Sequence, residues 1–321
     1  MSQRRAAGAA AGVVTTGKST ATVLSWDERP RGRRGGTVTD GREDWAGDGS
    51  TLVVAFEGWN DAGESASSTA RAIRDQLGLV PLAEVEPEDY FDYQFNRPVL
   101  AFDERGDRVL AWPSVVLSGP EDQGSGIHVL LGTEPSRGWK TFSEEVLDAI
   151  SVAGIDRIVF LGAMLADVPH TRPIAVFASS ENPTVREHFS LERSSYEGPV
   201  GIISVLADAA ERAGIPTLSI WASVPHYVHN APSPKATLAL IERLEDFVDV
   251  QIDRGSLVDE AEAWERGIDA LASDDDDMSA YIEQLEQARD TVDSPEASGD
   301  AIAEEFEKYL RKRDGDPPPA P

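Results

Sequence analysis

No cysteine occurs anywhere in the chain. Disulfides, thiolate metal sites and a cysteine nucleophile are thereby excluded, and a reducing, cytoplasmic location is the expectation that suits this best. Basic residues are scarce: 29 Lys and Arg stand against 57 Asp and Glu, a formal net charge of −28. Phosphate backbones are bound by clustered Lys and Arg, so nucleic acid is not an expected partner. Long apolar runs are missing too. Nothing approaches the roughly 18 consecutive apolar residues of a bilayer-crossing helix, so no membrane partner is expected. Several catalytic signatures are also absent. Gly124-Ser125-Gly126 lacks the third glycine of a dinucleotide loop, and neither a Gly-x-Ser-x-Gly elbow nor a His-Glu-x-x-His helix occurs. The stretch Gly132 to Thr141 has the wrong spacing for a phosphate loop, with Trp139 before Lys140. No cofactor and no metal site is expected.

What is present begins after a polar start. Residues 1–49 are rich in Arg, Gly, Thr and Asp without apolar period, a composition that buries too little surface to fold, and are read as a disordered arm. Arg4-Arg5 before Ala6 to Val14 superficially resembles a twin-arginine export signal, but the segment is short, weakly hydrophobic and without a clear cleavage site. From Thr51 strand and helix signals alternate. Leu52 to Phe56 is an apolar run; Asp61 with Glu64 has capping-box spacing and opens a helix through about Leu77, one face of which carries Ala62, Ala66 and Ala70. Residues 80–117 read as a β-rich insert, with Tyr90, Phe91, Tyr93 and Phe95 strand-like. Further strands are expected at Ile127 to Leu131, Arg157 to Leu165, Ile174 to Ala178 and Thr217 to Ala222, with helices after Trp139, from Pro199 and from Pro234. Such alternation implies an α/β fold: a three-layer sandwich around a mostly parallel sheet, over residues 50–255. Residues 256–312 are read as an acidic helical C-terminal extension and 313–321 as a flexible tail.

Three of these strands end in polar loops. The first is Glu57-Gly58-Trp59-Asn60-Asp61; the other two carry the same tripeptide, Val168-Pro169-His170 and Val224-Pro225-His226. In open α/β sheets ligands bind at that carboxyl edge. His170 and His226 could converge there with Asp167, Arg172 and Tyr227 for acid–base work near neutral pH, or could hydrogen-bond the loops shut. Asp61 or Asn60 can serve as a helix cap, whereas Glu57, at the end of an apolar strand, needs a donor such as Arg172. Arg137 and Lys140 near a helix start could hold an anion, or be solvated.

Taken together, Phe56-Glu57-Gly58-Trp59-Asn60-Asp61-Ala62-Gly63, Glu134-Pro135-Ser136-Arg137, Leu161-Gly162-Ala163, Asp167-Val168-Pro169-His170-Thr171-Arg172-Pro173, Tyr196-Glu197-Gly198-Pro199 and Ala222-Ser223-Val224-Pro225-His226-Tyr227-Val228 resemble the actinobacterial branch of the proteasome assembly chaperone 2 family, over roughly residues 50 to 290. The resemblance implies a nucleoside-phosphorylase-like α/β/α domain, a homo-oligomer with a trimer favoured, and a protein partner such as a proteasome component. It also brings Glu197 into the candidate ligand-binding set with Glu57, Asn60, Asp61, Arg137, Asp167, His170, Arg172, His226 and Tyr227. The chain ends Pro319-Ala320-Pro321 rather than in the hydrophobic-Tyr-x of relatives that dock on proteasome rings, and it lacks the phosphate-binding Arg and Ser pattern of true phosphorylases. Two readings follow: an assembly-chaperone-like interaction protein, or a small-molecule binder or phosphorylase/hydrolase-like enzyme acting on an anionic metabolite.

Overall fold

A computed structural model describes residues 24–25, 45 and 49–292, apart from 86, 104, 122–125 and 230. Its strands are β1 (Leu24–Ser25), β2 (Ser50–Glu57), β3 (Val80–Glu84), β4 (Val99–Phe102), β5 (Arg108–Ala111), β6 (Val115–Gly119), β7 (Ile127–Thr133), β8 (Ile155–Ala166), β9 (Val176–Ser179) and β10 (Thr217–Pro225). Helices are α1 (Ser65–Gln76), α2 (Pro87–Tyr90), α3 (Trp139–Ala153), α4 (Pro183–Phe189), α5 (Ile202–Arg212), α6 (Pro234–Glu245), α7 (Leu257–Ser273) and α8 (Asp276–Val292).

The main sheet has the order β1-β3-β6-β7-β2-β8-β10-β9, while among the described residues β4 and β5 pair only with each other. The central strands β7, β2, β8 and β10 are parallel; β6 and β9 are antiparallel to their neighbours. Strand alternation then decides which side chains meet which layer. Val53 and Ala55 of β2, with Val159 and Leu161 of β8, pack towards α1 and α6. Leu52, Val54, Phe56, Ile158 and Phe160 pack towards α3 and α5. Both faces are covered, hence the near-continuous apolar runs. The small-residue face of α1 is used for close approach: Ala66 and Ala70 are fully buried, and Thr69 reaches across to the carbonyl of Thr237 on α6.

Three local expectations change. The aromatic segment from Tyr90 is not a strand: Pro87 opens the short α2, Tyr90 and Phe91 are buried, and Tyr90 meets Phe142 of α3 edge-on at 5.4 Å. The helix after β2 starts at Ser65, not at Asp61, because Ala62–Glu64 forms a 3-10 turn and Glu64 takes a left-handed conformation, φ 50°. Glu64 therefore closes no capping box. Part of the segment assigned to an arm contacts the core: Leu24–Ser25 pairs with β3, and Trp45, buried against Phe189, donates to the carbonyl of Phe247 at 3.2 Å. Arg157 holds the same region through the carbonyls of Trp45 and Gly49. The helix expected over residues 302–310 and the tail lie outside the described residues. No helix among the described residues is long and apolar enough to cross a membrane.

Candidate functional site

The parallel strands deliver their loops to one edge in two groups. The chain leaves β2 for α1 on one face and leaves the adjacent β7 for α3 on the other. Diverging connections of this kind open a crevice between strand ends. A cavity of about 690 Å3 lies there, lined by Trp59, Trp112, Trp139 and Pro113, with Glu57 and Arg97 among its polar groups. Glu57 does not meet Arg172. It forms an ion pair with Arg71 of α1 and accepts from Thr133 Oγ1 at 3.3 Å.

Beneath the cavity Asn60 and Asp61 are structural. Asn60 is buried; its carbonyl accepts from Ala163 N at 2.8 Å, and its Nδ2 donates to Glu134 Oε1 at 3.0 Å. The same Glu134 oxygen accepts from Ile202 N at 3.0 Å, so it caps α5. Gly201 lies tight against this network, since an added Cβ would sit 2.4 Å from Asn60 Nδ2. Asp61 Oδ1 accepts from Ala66 N and Ser67 N at 2.7 and 3.1 Å, capping α1 from beyond the 3-10 turn.

Burial raises the pKa of the Asp61 carboxyl above its ordinary 3.8, against the lowering effect of hydrogen bonds from Ser67 and Ala66 and the charge of Arg71. The folded chain thus keeps a proton that the unfolded chain has released, and stability falls as pH rises from 3.8 through the raised pKa. Asp61→Asn retains the acceptor without the charge. Urea denaturation across pH is expected to show a flatter profile for the variant, with stability at neutral pH equal to or above the parent's; a loss there would mean that the ionised cap is required.

The second group, after β8 and β10, is sewn to the C-terminal helices. His170 is 1% exposed, and every polar atom of it is engaged. Its N–H donates to Tyr227 Oη at 2.7 Å, its Nδ1 lies 2.8 Å from the same hydroxyl, and its Nε2 lies 3.0 Å from Asp269 Oδ1 on α7. A neutral ring with its proton on Nε2 satisfies all three: it donates to Asp269 and accepts the tyrosine hydroxyl proton. The carbonyl of His170 accepts from Lys235 Nζ, which also pairs with Glu265, both at 2.5 Å. Thr171 donates to Glu286, and Arg172 forks onto Asp290 at 2.7 and 2.8 Å. That fork pulls the Asp290 carboxyl below its usual range. Burial, chiefly, pushes the Tyr227 phenol up to about 12, so it remains protonated at neutral pH.

The identical tripeptide after β10 behaves differently. The His226 side chain is 43% exposed, and its Nδ1 is 3.2 Å from the open Asp167 carboxylate, in ion-pair reach without hydrogen-bond alignment. Its ring packs edge-on to Tyr227 and Tyr281. The structure therefore brings Asp167, His170, Arg172, His226 and Tyr227 together, and leaves Glu57, Asn60 and Asp61 in the other group. Arg137 joins neither: it donates to the carbonyls of Glu88 and Asp89 at 2.8 and 3.3 Å, tying the end of α2 to the start of α3. Glu197 is exposed in the loop before α5. Among the described residues no group of three or more His, Asp or Glu side chains could hold a metal ion.

This fold and its loop sequences have known counterparts. The PAC2 family model matches residues 55–272. The chain belongs to the PAC2 family. It is similar to the crystal structure of a PAC2 family protein from Streptomyces avermitilis, with 41% identity over 73% of this chain and 99% of that one and a TM-score of 0.65. It is similar in the same degree to a Mycobacterium tuberculosis protein described as a proteasome-assembly chaperone homologue, with 40% identity, 72% and 99% coverage and a TM-score of 0.65. A further M. tuberculosis protein, of unknown function, shares 26% identity over 77% of this chain and 86% of its own, with a TM-score of 0.68. No curated protein matches the chain.

In this PAC2 family chain the residues that complete each network lie outside the candidate set. Glu134 directly follows β7 and could have been found by the reasoning applied to Glu57. Asp269, Glu286 and Asp290 gave no signal: each is one acid among many on a charged helix, 99 to 118 residues from its partner.

Proposed function

We propose that this PAC2 family chain is a protein-interaction module of the proteasome-assembly-chaperone kind, and not an enzyme working through its strand-end loops. The observation that carries the reading is the engagement of His170. A general acid–base group must reach a reacting atom, and this imidazole spends its polar atoms on Tyr227 and Asp269 beneath α7. The name borne by the M. tuberculosis relative, a proteasome-assembly chaperone homologue, supports the same reading. On this reading the chain is cytoplasmic, forms homo-oligomers and binds a proteasome component.

The test is capture of defined proteasome α subunits by the tagged full chain. Binding that persists in His170→Gln, and no turnover of a metabolite mixture, is the expected result. Absence of any bound proteasome subunit would overturn it. One observation favours a second reading: a cavity of about 690 Å3 is within the size range of small-molecule sites, and Arg97 in its lining would suit an anionic metabolite. Thermal stabilisation of the chain by one member of a metabolite mixture, abolished by Arg97→Ala, would select that reading.

A further inference from the structure

Three tryptophans gather at one crevice, and two of them stand open. Trp59, Trp112 and Trp139 line the cavity of about 690 Å3 at the ends of β2 and β7, together with Val99 and Pro113. Gly58, at φ 111°, turns the chain out of β2 ahead of Trp59, which is 65% exposed. Trp112 is 46% exposed and rests edge-on against Tyr93 at 4.8 Å. Apolar surface gathered in this way in a concave site marks a place where another surface docks.

The two carboxylates in the lining are already engaged. Glu57 is taken by Arg71 and Thr133, and Glu134 Oε1 by Asn60 and the start of α5. Trp139 Nε1 is likewise spent, on the carbonyl of Pro135. Three donors are not. Among the described residues no acceptor meets Nε1 of Trp59 or of Trp112, and no carboxylate pairs with the exposed Arg97. A segment that offers carbonyl oxygens and few N–H groups of its own fits such a lining.

The chain itself holds one. Its only run of consecutive prolines is in Asp316-Pro317-Pro318-Pro319-Ala320-Pro321. A prolyl residue has no N–H and a fixed φ, so a proline run presents carbonyl oxygens along a stiff rod that loses little entropy on binding. Aromatic-lined grooves recognise such rods. The run lies beyond the described residues, but the chain leaves them at the same edge of the sheet: α8 ends at Val292, and its Asp290 is held by Arg172 in the loop after β8. β8 and β7 flank β2 and so run about 10 Å apart. Residues 293–316 join α8 to the prolines; a connector of that length spans about 25–30 Å as a coil and about 36 Å as a helix. Reach is therefore not limiting.

We infer that the Pro317–Pro321 segment of this chain docks in the Trp59–Trp112 crevice, with its rings on the indole faces and its carbonyls accepting from the two Nε1 groups and Arg97. A tethered segment has an effective concentration on the order of millimolar, so even a weak motif holds the site, and a proline-rich segment of another protein has to displace it. This goes beyond the interaction-protein reading and does not rest on it, since the occupant is part of the chain.

The test titrates a fluorescein-labelled peptide of residues 314–321 into two full-length proteins and reads anisotropy. One is the parent; the other carries Pro317→Ser, Pro318→Ser, Pro319→Ser and Pro321→Ser. The serine variant is expected to bind the peptide about tenfold more tightly than the parent, in which the tethered prolines compete. Adding Trp59→Ala or Arg97→Ala to the serine variant is expected to weaken binding by about tenfold. Both positions are exposed, so folding is retained and is checked by circular dichroism; Arg97→Ala serves alone where Trp59→Ala fails that check. A peptide with serine in place of each proline is expected not to bind. Absence of binding to either protein, equal affinity for both, or binding that survives the crevice substitutions overturns the inference. No proteasome subunit enters these measurements, so their failure leaves the interaction-protein reading to its own capture experiment.

Discussion

His170→Ala is expected to destabilise the chain by about 3 kcal/mol, while His226→Ala, in the same tripeptide, costs less than about 1 kcal/mol. The difference is one of burial. At His170 truncation leaves a cavity under α7, the usual cost of which is about 2–5 kcal/mol for a large side chain, and strands the Tyr227 hydroxyl without its acceptor, worth about 1–3 kcal/mol if no water replaces it. The Asp269 carboxylate is 55% exposed and is rehydrated on the loss of its partner, which keeps the total near the middle of that range. At His226 the ring is only half-buried and Asp167 is exposed, so their pair contributes about 0–1 kcal/mol, and truncation gives up the ring's edge contacts with Tyr227 and Tyr281 without emptying a buried site. Amide exchange locates the effect as well as its size. In His170→Ala, protection should fall first over Leu257–Val292, ahead of the central strands, because the ring ties α7 to the loop after β8. Equal effects at the two histidines would contradict the assignment of one as a structural tie and the other as a surface group.

Gly132→Ala is expected to be at least as damaging, lowering stability by about 3 kcal/mol or more and the melting midpoint by on the order of 10 °C. A Cβ at Gly132 would sit 2.0 Å from the carbonyl oxygen of Ser114 and 2.6 Å from Val115 Cα. Both obstacles are backbone, so no rotamer change relieves them, and the β6–β7 pair must separate at Val115 and Gly132. The consequence reaches the crevice. Gly132 precedes Thr133 and Glu134, which hold Glu57, Asn60 and the start of α5, and Pro113 and Ser114 join the β4–β5 hairpin to the sheet. Thermal melting gives the global loss. Tryptophan fluorescence should also shift, because Trp59, Trp112 and Trp139 line the cavity beside the displaced strands. A variant that melts like the parent would mean that β6 and β7 are not paired as described.

Much of the architecture was legible because it is written in short-range patterns. Apolar runs at Leu52–Phe56, Ile158–Leu165 and Leu218–Ala222 alternate with amphipathic helices, and that alternation is a direct consequence of burying a parallel sheet on both faces. The Pro-His turns and the acidic polar loop were also correctly placed at one edge, since parallel strands must all end on the same side. Misreadings occurred where short-range pattern competes with packing. The aromatics from Tyr90 alternate like a strand, yet Tyr90 and Phe91 are buried beside α3 after a proline-started turn of helix. Glu64 has capping-box spacing, yet the chain makes an extra 3-10 turn so that the buried Asp61 caps from further back.

The sequence by itself determined the layered α/β class, the exclusion of thiol chemistry and the edge at which the polar loops gather, because composition and period are properties of the chain alone. It also carried the family, since six segments in order are a chain property too. Only the tertiary structure decided what the two Val-Pro-His turns are. Identical tripeptides leave adjacent parallel strands, and one histidine is buried under α7 whereas the other stays half-exposed beside Tyr281 of α8; the partner that distinguishes them, Asp269, lies 99 residues downstream of His170. The fate of a polar side chain depends on which distant surface covers it, and that is settled by packing rather than by its neighbours in sequence. The same holds for the β4–β5 hairpin: its residues read as part of a β-rich insert, and only the fold decides that all of them but Ala101 are left exposed.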